Sequence, residues 1–241
     1  MPRHDRLAAL HPAARRASLV FAALAASLAL AGCAAPTSSS SAAGPVPTGT
    51  IGPNTLNVAD AAIAGGDPGM ALSVSQSILS SDPDNVDALV HEGEAYYALG
   101  RCPAAQASFQ LALNNDPKSA GAETGLGRCM LKFNPAQAET AFLAATQDDP
   151  GDAAAWSDLG VARDLQDNFT GAAAAYQQAL LADPGSDATA VDLGLSLALS
   201  GQGPEALQYL GPLATGPGAS PKIREDYAVA LIAAGRNDAP I

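Results

Sequence analysis

Histidine and cysteine are nearly missing from this chain. Of its 241 residues three are histidine, and two of these, His4 and His11, stand in the basic N-terminal stretch. Beyond it only His91 remains, so a multi-histidine metal centre cannot be assembled within one chain, and His91 itself reads as a surface or groove residue. The three cysteines, Cys33, Cys102 and Cys129, form no Cys-x-x-Cys pair, which argues against a redox or zinc-ribbon motif. Gly125-Leu126-Gly127 lacks the third glycine and the preceding strand of a dinucleotide loop and reads as helix packing. Paired acids such as Asp148-Asp149 sit where a helix should end and read as turn chemistry. No catalytic site emerges, and neither a metal nor a cofactor is expected. Positive charge is also scarce. Without residues 1–32 the chain carries eight basic and 23 acidic residues, about -15 net, so nucleic acid and anionic lipid are poor partners.

What the chain has is a period. Asp82-Pro83, Asp116-Pro117, Asp149-Pro150 and Asp183-Pro184 recur every 33 or 34 residues, and ten residues after each proline stands a glycine: Gly93, Gly127, Gly160 and Gly194. Aligned on the prolines, Ala105, Ala138, Ala172 and Ala206 share one position, and Phe109, Phe142, Tyr176 and Leu210 another, one helical turn later. Small and large residues in that register predict helices in close approach. Gly66, Gly100 and Gly201 fall where a first helix should end in a left-handed cap, and Pro68, Pro103, Pro135 and Pro204 where a second helix should open. The pattern predicts five helix pairs beginning near Gly52, Val86, Ala120, Ala153 and Asp187, closed by a single helix from about Pro221 to Ala234. Such units bury their apolar faces by stacking, so the fold expected is an all-α helical solenoid over residues 51–241. Trp156, Leu159, Gly160, Ala172, Tyr176, Ala179 and Pro184 resemble the tetratricopeptide pattern most closely. In the same frame Cys102 and Cys129 lie at helix ends that antiparallel packing brings together, which leaves open either a disulfide or two partly buried free thiols.

The first 50 residues read as an address. Arg3, Arg6, Arg15 and Arg16 precede sixteen uncharged residues, Ala17 to Gly32, a stretch too short to span a bilayer comfortably and suited to a secretory signal over residues 1–32. Leu30-Ala31-Gly32-Cys33 resembles the lipobox of bacterial lipoproteins, which implies that Cys33 becomes a lipidated N-terminus; an uncleaved anchor or a plainly secreted protein is the alternative. Ala34, not aspartate, follows the cysteine, which by the sorting rule of that family implies the periplasmic face of the outer membrane. Residues 33–50 are neutral and rich in serine, alanine and proline, the composition of a flexible tether.

Tetratricopeptide arrays line their concave surface with first helices. That implies partner-binding positions at Glu94, Tyr97, Thr124, Arg128, Leu131, Ser157, Val161, Asp164, Val191 and Leu195, where apolar anchors would give affinity and charges would give register. The lysine and asparagine set with which chaperone-binding relatives clamp a terminal carboxylate is missing. Val191-Asp192-Leu193-Gly194-Leu195-Ser196-Leu197-Ala198-Leu199-Ser200-Gly201, then Leu210-Gly211-Pro212-Leu213-Ala214, Pro221-Lys222-Ile223-Arg224 and Ala228-Val229-Ala230-Leu231, resemble the closing repeats of the lipoprotein of tight-adherence (Tad, or Flp) pilus assembly systems. The resemblance implies a non-enzymatic, outer-membrane-tethered scaffold whose protein partners include the pilus secretin. Another envelope assembly machine (outer-membrane protein insertion, a different pilus, polysaccharide export) and an accessory subunit of a cell-wall enzyme are the alternatives.

Overall fold

The structure is a computed structural model that describes residues 55–236. The leader, Cys33, the tether and the start expected near Gly52 all lie outside the described residues. Eleven helices follow one another: α1 (Thr55–Ala64), α2 (Pro68–Leu79), α3 (Val86–Ala98), α4 (Cys102–Asn115), α5 (Ala120–Met130), α6 (Pro135–Asp148), α7 (Ala153–Asp164), α8 (Phe169–Ala182), α9 (Asp187–Leu199), α10 (Gly203–Thr215) and α11 (Pro221–Ala233). The described residues contain no strand, and the fold is the helical solenoid that the period predicts.

Helix starts fall where the repeat puts them. Val86, Ala120, Ala153 and Asp187 each open a first helix, and α11 runs over the span expected of the closing helix. The aspartates of three Asp-Pro pairs end second helices because a residue before proline is driven out of the helical region. Asp116, Asp149 and Asp183 adopt φ near -130°, and their carboxylates accept the N–H of Lys118, Gly151 and Gly185 at 3.0, 3.0 and 3.1 Å. The side chains of Asn85, Asp152, Ser186 and Ser220 cap α3, α7, α9 and α11, each taking a first-turn N–H and contributing about 1 kcal/mol, whereas Ser119 before α5 makes no such bond.

The uneven spacing has a local cause. The step from second helix to next first helix never varies, whereas the step from first to second is one residue shorter from Ala120 to Pro135 than from Val86 to Cys102 or Ala153 to Phe169. Gly66, Gly100 and Gly201 close their first helices with φ of 77°, 71° and 87°, as expected, and Asp167 takes the same role after α7 at φ 59°. After α5 the left-handed residue is omitted. Phe133 and Asn134 both donate to the Met130 carbonyl, at 2.9 and 2.8 Å, and Pro135 opens α6 directly.

Packing explains the glycine ladder. A Cβ added to Gly93, Gly127 or Gly160 would stand 2.5 Å from the ring of Phe109, Phe142 or Tyr176, and one added to Gly125 would enter Phe109 from the neighbouring repeat. These rings are 0–1% exposed, so the bare glycine backbone is what lets first and second helices close on them. At the far end Gly194 meets Leu210 in the same slot, and Gly203, opening α10, abuts the backbone at Ala233 and Ala234. Thus α11 seals the array against α9 and α10. No helix among the described residues is long and apolar enough to cross a membrane.

Candidate protein-binding face

First helices form an inner layer through the first four repeats. α1 packs on α3, α3 on α5 and α5 on α7, while successive second helices make no comparable contact, so the first helices define the concave side. A cavity of about 370 Å³ opens on this side between three repeats, lined by Arg128 of α5, Ser157 and Asp158 of α7, and Ser186 and Thr189 at the start of α9.

Charge in this layer is organised as pairs. Arg128 Nε donates to Asp158 Oδ2 at 2.6 Å across α5 and α7, with both side chains mostly covered. Burial lowers the Arg128 pKa, yet the Asp158 carboxylate outweighs it and leaves the guanidinium raised and charged. Burial pushes Asp158 up, against the pull of Arg128. Glu94, on α3, is likewise raised by burial, eased by His91 and Arg128. Arg163 Nε donates to Glu139 Oε1 at 2.8 Å and ties α7 to α6, and hydrogen bonding from Arg163 holds the Glu139 carboxyl below its ordinary value.

The expected groove residues divide into two groups. Glu94, Arg128, Ser157, Val161 and Leu195 are half-buried and Tyr97 is exposed, all within reach of solvent on first helices, and half-buried Leu131 stands just past the end of α5. Thr124 and Val191 are buried at 4% and 8% exposure, so their predicted contact with a partner is corrected to packing within the array. Val191 belongs to the apolar cluster that α11 completes with Ala230, and Ile223 and Tyr227 pack on that cluster. Asp164 is occupied inside the protein: it accepts Tyr176 Oη at 2.9 Å and Ser196 Oγ at 2.8 Å, and so links α7, α8 and α9. Burial raises its pKa and these hydrogen bonds pull it back, while burial beside Asp164 holds the Tyr176 phenol far above its usual value. Asp164 thus has a structural role within the array, whatever it offers a partner from its half-buried place on α7.

Cys102 and Cys129 do meet, with Cys129 Sγ 3.9 Å from the Cys102 carbonyl oxygen, and both are free thiols. Burial pushes the Cys129 thiol up to about 12, which makes it a packing group and not a nucleophile. Sequence reasoning missed Asp158 as the partner of Arg128. The available signal was opposite charge on equivalent faces of adjacent first helices. It also missed the meeting of His91 with Asp60, whose repeat has no Asp-Pro pair before it to set the frame.

Two family models described as tetratricopeptide repeat match the chain, one over residues 62–129 and the other over 134–188 and 166–217. The chain belongs to the tetratricopeptide repeat family. No curated protein matches it. Among solved structures this tetratricopeptide array is similar to PilW, a widely conserved type IV pilus biogenesis factor, at 25% identity and a TM-score of 0.61, covering 76% of this chain and 86% of that one. It is also similar to PilF of Pseudomonas aeruginosa, at 17% identity and a TM-score of 0.66 over 76% of this chain and 84% of that one. MamA of Desulfovibrio magneticus RS-1 is similar at 22% identity and a TM-score of 0.54 over 71% and 92%. The likeness to PilF and MamA shows the fold alone.

Proposed function

We propose that this tetratricopeptide protein is a non-enzymatic scaffold that receives protein partners on its concave face during assembly of a pilus of the Tad/Flp type. The observation that carries the reading is the first-helix layer itself. It offers a cavity spanning three repeats, with the Arg128–Asp158 pair at one side and small or hydroxyl side chains around it, a shape suited to an extended or helical peptide. The fold shared with PilW supports the pilus setting. The closing-repeat residues from Val191 to Leu231 and the lipobox-like Leu30-Ala31-Gly32-Cys33 support placement among Tad lipoproteins, with Cys33 acylated and the protein held at the periplasmic face of the outer membrane. The secretin through which pilins leave is the partner this reading names.

The test is recovery of partners from crosslinked envelopes with the intact protein and with Cys33→Ser, identified by mass spectrometry. A pilus secretin or its companions should be recovered, and recovered less when the anchor is lost. Recovery of outer-membrane insertion, polysaccharide export or cell-wall machinery instead would overturn the pilus assignment and leave the fold standing.

A further inference from the structure

On the inner layer, at the first repeat, three potential ligands come together. Asp60 lies on α1, and His91 and Glu94 lie three residues apart on one face of α3. One nitrogen of the imidazole and one oxygen of each carboxylate all fall within 4.8 Å of one another. His91 Nδ1 is 2.6 Å from the Asp87 carbonyl oxygen, and Nε2 is 2.6 Å from Asp60 Oδ1. A carbonyl can only accept, so Nδ1 carries the hydrogen, and a neutral ring then turns the Nε2 lone pair towards a carboxylate. That contact requires a positive centre. A proton on Nε2 would serve Asp60 alone, and no donor among the described residues hydrogen-bonds the Glu94 carboxylate nearby. A divalent cation would serve all three.

We propose that Asp60, His91 and Glu94 bind a divalent transition-metal ion of the zinc type. The donor set fits it: one imidazole nitrogen and two carboxylate oxygens, which zinc holds at roughly 2.0–2.2 Å, with a fourth position left to water. Mg²⁺ and Ca²⁺ prefer all-oxygen shells and fit poorly. The Nδ1–H bond to the Asp87 carbonyl is the outer contact that orients a metal-bound histidine. At 2.6 Å the His91 Nε2–Asp60 Oδ1 contact has hydrogen-bond spacing, so an entering ion must part the two atoms to roughly 3 Å or more; Asp60 is exposed on the rim of α1 and its carboxylate can swing to make that room, whereas His91 is largely covered and fixed. The ion would clip α1, whose buried side chains are the small Ala59 and Ala62, onto α3 and make the first repeat rigid where the inner layer begins.

The experiment is calorimetric titration of the chelator-treated full chain with Zn²⁺, with Mg²⁺ in parallel, and thermal unfolding in each ion. Asp60→Asn and Glu94→Gln keep side-chain shape and remove a ligand charge, and circular dichroism checks that both keep their helix content. Saturable binding of one Zn²⁺, a higher Tm in Zn²⁺ but not in Mg²⁺, and at least tenfold weaker binding by each variant are expected. No Zn²⁺ binding would overturn the proposal. So would variants that bind like the parent, since that would place the ion elsewhere on the chain.

Discussion

In the middle of the array a bare glycine faces a flat ring three times over, Gly93 with Phe109, Gly127 with Phe142 and Gly160 with Tyr176, whereas at the closing end Gly194 faces the branched side chain of Leu210. Each ring fills the slot between the two helices of its own pair, and Phe109 also fills the slot beside Gly125 of the next repeat. A leucine covers less, and the end compensates with one broad cluster that takes in Tyr176, the last of the rings, and reaches from Ala172 on α8 to Ala230 on α11. The middle is a chain of nearest-neighbour contacts and the end is a block.

Removing a ring should show the contrast most strongly. Phe109→Ala is expected to cost about 3–5 kcal/mol and Leu210→Ala about 2–3 kcal/mol in urea unfolding, because the cavity at Phe109 is open to two repeats. Equal losses would contradict the distinction. Next comes the glycine side of the slot. Gly127→Ala forces a methyl against Phe142 and should destabilise by about 1–3 kcal/mol. Gly211→Ala, in α10 of the closing block, meets nothing nearer than Tyr227 at 3.8 Å, so its methyl finds room and any loss comes only from the restriction that Pro212 places on the residue before it, a cost of less than about 1 kcal/mol and smaller than that of Gly127→Ala.

Smaller effects sharpen the join between the two regions. Tyr176 is the ring whose hydroxyl bonds Asp164, and Tyr176→Phe should cost about 1–2 kcal/mol. Glu123, in the first turn of α5, has a buried Oε2 with no hydrogen-bond partner, and burial with Asp148 nearby raises its pKa from 4.5 to about 6. Its folded pKa lies above the unfolded one, so the protonated form is favoured on folding. Stability from this group is present below pH 4.5 and is lost as pH rises to 6. Glu123→Gln should therefore raise stability at pH 7 by about 1 kcal/mol after solvent screening and change little at pH 4. A gain of the same size at both values would show that the carboxylate's charge is not the cause.

Residues that act within one repeat could be read from the sequence, and residues that act between repeats could not. Proline, glycine and the aspartate before proline determine backbone conformation locally, which is why the starts at Val86, Ala120, Ala153 and Asp187 and the left-handed Gly66, Gly100 and Gly201 were foreseeable. Asp167 was not, because aspartate enters that region only when the chain around it closes a turn of the required length. The candidate site suffered more. Helical register places Val191 and Asp164 on first helices, but whether such a residue meets a partner or a neighbouring helix depends on what lies one repeat away. For Val191 that is the cluster closed by α11, and for Asp164 it is Ser196. Arg128 and Asp158, thirty residues apart, form a pair for the same reason.

The central claim is that partners are received on the first-helix layer. Its most direct test compares capture of the crosslinked envelope partner by Ser157→Arg, in the cavity between α5, α7 and α9, with capture by Leu181→Asp, 74% exposed on the second helix α8, once both variants show parent-like helix content. Ser157→Arg should lose the partner at least tenfold while Leu181→Asp captures it like the parent. Loss with Leu181→Asp and retention with Ser157→Arg would contradict it.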